Sequence, residues 1–180
     1  MAEYKGIHGT KIQNYTSDPA NPLTGQVWFN DTSDSLKFEY QSTISAWSTG
    51  GNLNTARRIL AGSGTQTAAL GFGGYVGPYS ALTESYNGTA WTEVNDLNTA
   101  RFGLGGAGTN TAALGFGGYN GSRLAETETW NGTNWTEVNN LNTARQNLGG
   151  AGATNTAALA FGGEVPPSTG ATELYNGTNW

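Results

Sequence analysis

The chain has 180 residues, a net charge of −5 and only 12% charged residues. It carries no basic block or patch, so a nucleic-acid partner is not expected. With no Cys and a single His, His8, disulfides and thiolate metal sites are excluded, and neither a metal nor a cofactor is expected.

Glycine is abundant at 28 residues, yet aromatics reach 11% and include six Trp. Disordered chains are poor in aromatics, so this mixture points to short strands, tight turns and large packing anchors. The opening "MAEYKGIHGT" has no apolar h-region, so a secretory signal is not expected. No stretch approaches the roughly 20 apolar residues of a membrane helix, and membrane insertion is not expected.

In chain order, residues 1–35 read as an N-terminal segment and linker. Lys5, His8 and Lys11 lie in a polar stretch that fits either an attachment arm or a disordered tail. "TSDPANP" reads as linker, because Pro19 and Pro22 break regular structure. Residues 36–180 are repetitive. "LNTAR" recurs at Leu53–Arg57, Leu97–Arg101 and Leu141–Arg145, a spacing of 44 both times. The pairs Gly73–Gly74, Gly117–Gly118 and Gly162–Gly163 follow at 44 and 45. Trp47, Trp91, Trp135 and Trp180 keep spacings of 44, 44 and 45. The extra residue falls in "GAGATNTAAL", as a surface turn tolerates.

Each period predicts four short strands, seen in the second copy as "ARFGLGGAG", "TAALGFGG", "ETETWNG" and "WTEV". No segment has helical periodicity. In "TAALGFGG", Ala112, Leu114 and Phe116 face one way and Ala113, Gly115 and Gly117 the other. Neither set is charged, which predicts a strand buried on both faces, as between stacked sheets. "YNGT" and "WNGT" read as two-residue Asn-Gly hairpin turns. That turn accounts for Asn87, Asn131 and Asn176, which also match the glycosylation pattern.

Four strands in about 44 residues, a Gly pair, then an aromatic and a Trp, together resemble the kelch repeat of β-propellers. The carriers are Gly73–Gly74, Tyr86 and Trp91; Gly117–Gly118, Trp130 and Trp135; and Gly162–Gly163, Tyr175 and Trp180. The resemblance spans residues 36–180. It implies an all-β fold of kelch-like propeller blades, each a four-stranded antiparallel sheet. The tryptophan-aspartate repeat fits less well, since no Gly-His or Trp-Asp pair occurs. "NGTNW" also looks like the Asp-box turn of sialidase-type propellers with Asn replacing Asp, which reads as convergent turn chemistry.

The segment "NPLTGQVWFNDTSDSLKFEYQSTISAW" is similar to segments of bacteriophage tail-fibre and other virion proteins, through Gly25, Trp28, Phe29, Asn30, Leu36, Lys37 and Trp47. The N-terminus followed by the repeats is similar to proteins of marine phages. This resemblance implies a virion structural protein of a tail fibre or other appendage, made in the host cytoplasm. Its N-terminal segment would dock on other virion proteins, and its blades would serve adhesion to a host-surface glycan or protein. Two further readings stay open: a non-viral kelch-type protein- or glycan-binding scaffold, and a carbohydrate-active propeller enzyme.

Glu84, Glu128 and Glu173 recur at one position, Glu93 and Glu137 at another, and Arg57, Arg101 and Arg145 at a third. Paired carboxylates can perform acid–base chemistry on sugars. Residues repeated once per blade have equivalent structural roles, so Arg–Glu pairs between strands are expected instead, and no catalysis. The Trp residues likewise read as blade anchors. Between Gly pair and Thr-Glu the copies diverge: "YVGPYSAL", "YNGSRLAE" and "EVPPSTGA". These loops carry Tyr75, Tyr79, Tyr119, Arg123, Pro166 and Pro167, the candidate binding residues; the alternative is unselected drift.

Propellers typically have about 4–8 blades, and 36–180 holds only about three periods, an incomplete ring. Three outcomes follow: a longer polypeptide, several chains sharing one ring, or N-terminal strands completing the last blade. The first two, part of a longer chain or a homo-oligomer, are the expectation.

Overall fold

A computed structural model describes residues 12–20, 26–38 and 48–180. Lys5, His8, Lys11, Pro22, Gly25 and Trp47 lie outside them, and with them part of the expected attachment segment. The described residues form strands and connections, with no helix among them. The chain divides into two compact units, Met1–Ser48 and Thr49–Trp180.

In the first unit, β1 (Gln13–Tyr15) runs parallel to β2 (Val27–Asn30), and β2 pairs antiparallel with β3 (Ser35–Phe38). The boundary expected at 35/36 therefore falls inside β3, after its first residue. The Asp18 carboxylate accepts from Asn30 Nδ2 at 2.7 Å and Trp28 Nε1 at 3.0 Å. Those two bonds, the one from Asn30 first, hold its pKa below the usual range. Part of the segment read as linker is thus fastened to β2.

The second unit contains three antiparallel sheets built from successive repeats. The first blade is β4 (Ala61–Thr65), β5 (Ala68–Phe72), β6 (Thr83–Tyr86) and β7 (Trp91–Val94). The second is β8 (Gly105–Gly108), β9 (Ala113–Phe116), β10 (Thr127–Trp130) and β11 (Trp135–Val138). The third is β12 (Gly149–Thr154), β13 (Ala157–Phe161) and β14 (Thr172–Tyr175). This is the expected all-β, blade-like architecture, and the sheets do not close into a ring.

The core lies between blades. Leu70, Phe72, Leu97, Leu104, Ala113, Trp130 and Trp135 form one buried cluster, joining the first blade to the second. Leu114, Phe116, Leu141, Leu148, Ala158, Ala160 and Tyr175 form its counterpart between the second and third. All four residues of β9 are buried, because one face meets each neighbouring blade. The blades approach so closely that a Cβ on Gly106 would stand 2.7 Å from the Gly62 carbonyl oxygen. Glycine is required there by space.

Trp135 lies 4.8 Å from Phe72, ring centre to ring centre, and donates its Nε1–H to Thr83 Oγ1 at 3.1 Å. Trp180 repeats this against Phe116, at 4.8 Å, and Thr127 Oγ1, at 3.0 Å. Trp135 is buried and Trp180 partly so, each with a satisfied donor, clamping a blade to its predecessor.

The Asn-Gly words correct one expectation. Tyr86 pairs directly with Trp91, and Trp130 with Trp135, so the loops hold four residues rather than two. Asn131 Oδ1 accepts the backbone N–H groups of Thr133 at 2.9 Å and Asn134 at 2.8 Å. Asn87 and Asn176 make the same pair of bonds. Only the glycines take positive φ, at 94°, 91° and 92° for Gly88, Gly132 and Gly177. The carboxamide replaces two backbone turn bonds, and that allows a longer loop.

Candidate functional site

The recurrent acids and arginines pair with one another. Arg101 Nη2 meets Glu128 Oε1 at 2.8 Å with both side chains fully buried. Glu128 also accepts from Asn98 N and Nδ2, each at 2.8 Å, and from Thr99 N at 3.3 Å. Arg145 and Glu173 repeat this at 2.9 Å, with Asn142 N at 2.6 Å. Arg57 and Glu84 do so at 3.2 Å, with Asn54 N at 2.7 Å. Each "LNTAR" loop therefore wraps the carboxylate of the blade that follows it.

The same loop grips the blade before it. Arg101 N donates to Ser80 O at 3.1 Å, and Gly74 N donates to Arg101 O at 2.9 Å. Arg145 repeats both bonds with Leu124 and Gly118, at 3.0 and 2.9 Å. Burial pulls the Arg57 and Arg101 guanidiniums below their usual range, while Glu84 and Glu128 respectively push back most strongly. Engaged by arginine and by backbone amides, these carboxylates hold the "LNTAR" loops in place, and for Glu128 and Glu173 those loops also bond to the preceding blade. Among the described residues no group of three or more His, Asp or Glu could hold a metal.

The divergent loops arrange themselves differently. After each Gly pair, whose residues take positive φ, the backbone turns to meet the residue following "LNTAR". Tyr75 bridges to Arg58 and Tyr79, Tyr119 to Phe102 and Arg123, and Glu164 to Gln146 and Ser168. Each blade thus presents three side chains on a fixed backbone frame, and each set is different.

Across the first two blades these side chains merge. Tyr79 stacks on Phe102 at 5.8 Å with 30° between ring planes, and meets Tyr119 edge-on at 6.1 Å. Tyr75 lies 5.7 Å from Phe102, and Phe102 lies 5.6 Å from Tyr119. Arg58 sits over the Tyr75 ring at 5.1 Å, a cation–π contact. Tyr79 remains 38% exposed, so the strip offers aromatic surface to solvent.

Toward the third blade the strip turns polar. Arg123 Nη2 donates to Glu164 Oε1 at 2.8 Å, and its Nε donates to the Glu164 carbonyl at 3.1 Å. Gln146 Nε2 donates to Glu164 Oε2 at 2.8 Å. Those two side chains, Gln146 first, hold the Glu164 carboxyl below the usual range.

Of the six residues chosen from sequence, Tyr75, Tyr79 and Tyr119 come together in one strip, and Arg123 continues it. Pro166 and Pro167 are exposed in the third loop, joined by a cis peptide bond, and add no hydrogen bond to the strip. Sequence reading missed Arg58, Phe102, Gln146 and Glu164. A signal existed: the residue after "LNTAR" differs in every copy, as Arg58, Phe102 and Gln146, inside an otherwise repeated word.

No protein-family model matches the chain, and a comparison with curated proteins finds no match either.

Proposed function

We propose that the protein is a non-catalytic binding module of a phage virion appendage. Its blades form a rigid platform and its divergent loops contact a glycan or protein on the host surface. The observation that carries the binding reading is the strip Tyr75–Tyr79–Phe102–Tyr119. Sugars and protein surfaces are bound by exposed, pre-positioned aromatic faces flanked by hydrogen-bonding groups. Here Tyr79 and its neighbours supply the faces, and Arg123 and Glu164 supply the polar flank. The rings already pack on one another in the free chain, so little side-chain entropy is expected to be lost on contact.

The virion assignment rests on the resemblance of the N-terminal segment to tail-fibre proteins and on the kelch-like repeat. Fold alone assigns no role. The enzyme reading is disfavoured by the three recurrent carboxylates, each engaged by a buried arginine and by backbone amides.

A glycan and host-surface panel probed with the intact chain tests the binding arm. Retention is expected, with Tyr79→Ala weakening it at least tenfold and Glu93→Gln, at an exposed position of β7, leaving it unchanged. Retention unchanged by Tyr79→Ala and Phe102→Ala together would overturn it. Probing purified particles with antibody to the chain tests the virion arm, and absence from particles would remove it.

A further inference from the structure

We infer that Asn120 is a site of spontaneous covalent modification, where the side-chain amide is lost to water and the loop gains a carboxylate. The inference is independent of what the loops bind.

Asparagine is chemically labile, and most so before glycine, where no Cβ hinders attack on the carboxamide. The chain contains four such steps: Asn87–Gly88, Asn120–Gly121, Asn131–Gly132 and Asn176–Gly177. Their neighbours are nearly identical, reading "YNGT", "YNGS", "WNGT" and "YNGT". Local sequence therefore gives them nearly one intrinsic reactivity. Among the described residues none accepts the N–H of these four glycines, so the attacking nitrogen is available in each. What differs is the hold on the carboxamide.

Three of the four are clamped. Asn131 Oδ1 accepts from Thr133 N at 2.9 Å and Asn134 N at 2.8 Å. Asn87 holds Thr89 N and Ala90 N, and Asn176 holds Thr178 N and Asn179 N, all at 2.9–3.0 Å. Turning Cγ onto the glycine nitrogen breaks both bonds of a clamp. These turns are also backed by protein: a Cβ on Gly88, Gly132 or Gly177 would meet Thr67, Thr111 or Thr156 at 3.3, 3.4 and 3.3 Å.

Asn120 has neither restraint. Its Oδ1 receives a single contact, from Ser122 N at 3.4 Å, at the outer limit of a hydrogen bond. A Cβ on Gly121 would meet nothing within 4 Å. Asn120, Gly121 and Ser122 are all exposed, although their blade, the second, packs against a neighbour on each side. Losing two ordinary hydrogen bonds before the step should slow it about tenfold or more at the clamped sites.

The chemistry uses only the chain and water. The Gly121 nitrogen gives its proton to solvent and attacks Asn120 Cγ. A C–N bond closes a five-membered imide, and the side-chain nitrogen leaves as ammonia. Water then opens the ring at either carbonyl, giving aspartate or isoaspartate. One water is consumed, one ammonia is released, and nothing is oxidised or reduced. The new carboxylate lies between Tyr119 and Arg123, which bridge across this loop. Isoaspartate also adds a methylene to the backbone between them.

Cleavage after Arg58, Arg101, Arg123 and Arg145 places the four steps in four separate peptides. The intact chain is aged in mildly alkaline buffer and the peptides are followed by mass spectrometry. The peptide from Phe102 to Arg123 should lose its amide at least tenfold faster than the other three, as both aspartate and isoaspartate. Fragmentation should place the change at Asn120 and not at Asn110. In strong urea the four rates should converge, because only the fold separates them. Loss no faster at Asn120 than at the clamped sites would overturn the inference. So would a spread of rates that persists unchanged in urea, since sequence would then be its cause.

Discussion

At the residue scale, the unit of construction is the buried Arg–Glu pair seated in the "LNTAR" loop. Taking both charges out of water is costly, and the geometry offsets that cost only while both partners are present. Glu128→Gln leaves the buried Arg101 guanidinium with only the Glu126 carboxylate, at 3.8 Å, as counter-charge. The expected loss of stability is about 3–5 kcal/mol, read from the urea midpoint of the second unit. Replacing Arg101 with Met and Glu128 with Leu together should cost much less, since neither charge is then stranded. A single variant no worse than the double one would show that the pair does not hold the blades. The recurrence of Arg and Glu was legible in the sequence, and so was their expected pairing. Their complete burial was not, because it depends on two blades closing over one loop.

At the element scale, the connection between "LNTAR" and the first strand of each blade must turn through positive φ. Ile59, Gly103 and Asn147 occupy this one position, at 55°, 63° and 54°. They also link blade to blade, with Gly103 N donating to Ile59 O at 3.0 Å and Asn147 N to Gly103 O at 2.6 Å. Glycine and asparagine accept this conformation, whereas a β-branched side chain is strained in it. Ile59 is 47% exposed, so little apolar burial compensates. Ile59→Asn is expected to raise stability by about 1 kcal/mol, measured as a higher thermal midpoint. A lower midpoint would mean that Ile59 makes packing contacts that outweigh its strain. The sequence revealed the strands and their order. It misjudged the Asn-Gly loops, because Asn131 caps two amides with its side chain instead of forming a two-residue turn.

At the scale of the whole molecule, one residue type has two energetic meanings. Phe72 is fully buried between blades and Phe161 is not. Phe72→Ala empties a packed site and should cost about 3–5 kcal/mol. Phe161→Ala should cost clearly less, about 1 kcal/mol, because that ring is already 41% exposed. Equal costs for the two, read from urea midpoints, would mean that burial between blades does not set the cost.

The sequence by itself determined the all-β class, the strand order, the repeat anchors and the loops that differ. Those are local matters: side-chain alternation, turn chemistry and a measurable period carry them. Only the tertiary structure decided that Tyr75, Tyr79, Phe102 and Tyr119 share one strip. Phe102 lies 17 positions before Tyr119 and 23 after Tyr79, and nothing in chain order brings the three together. Only the tertiary structure also separated Phe72 and Phe116 from Phe161, since identical words differ in burial according to what stands on the next face. Periodicity describes a blade, whereas the surroundings of each copy are set by its place in the stack.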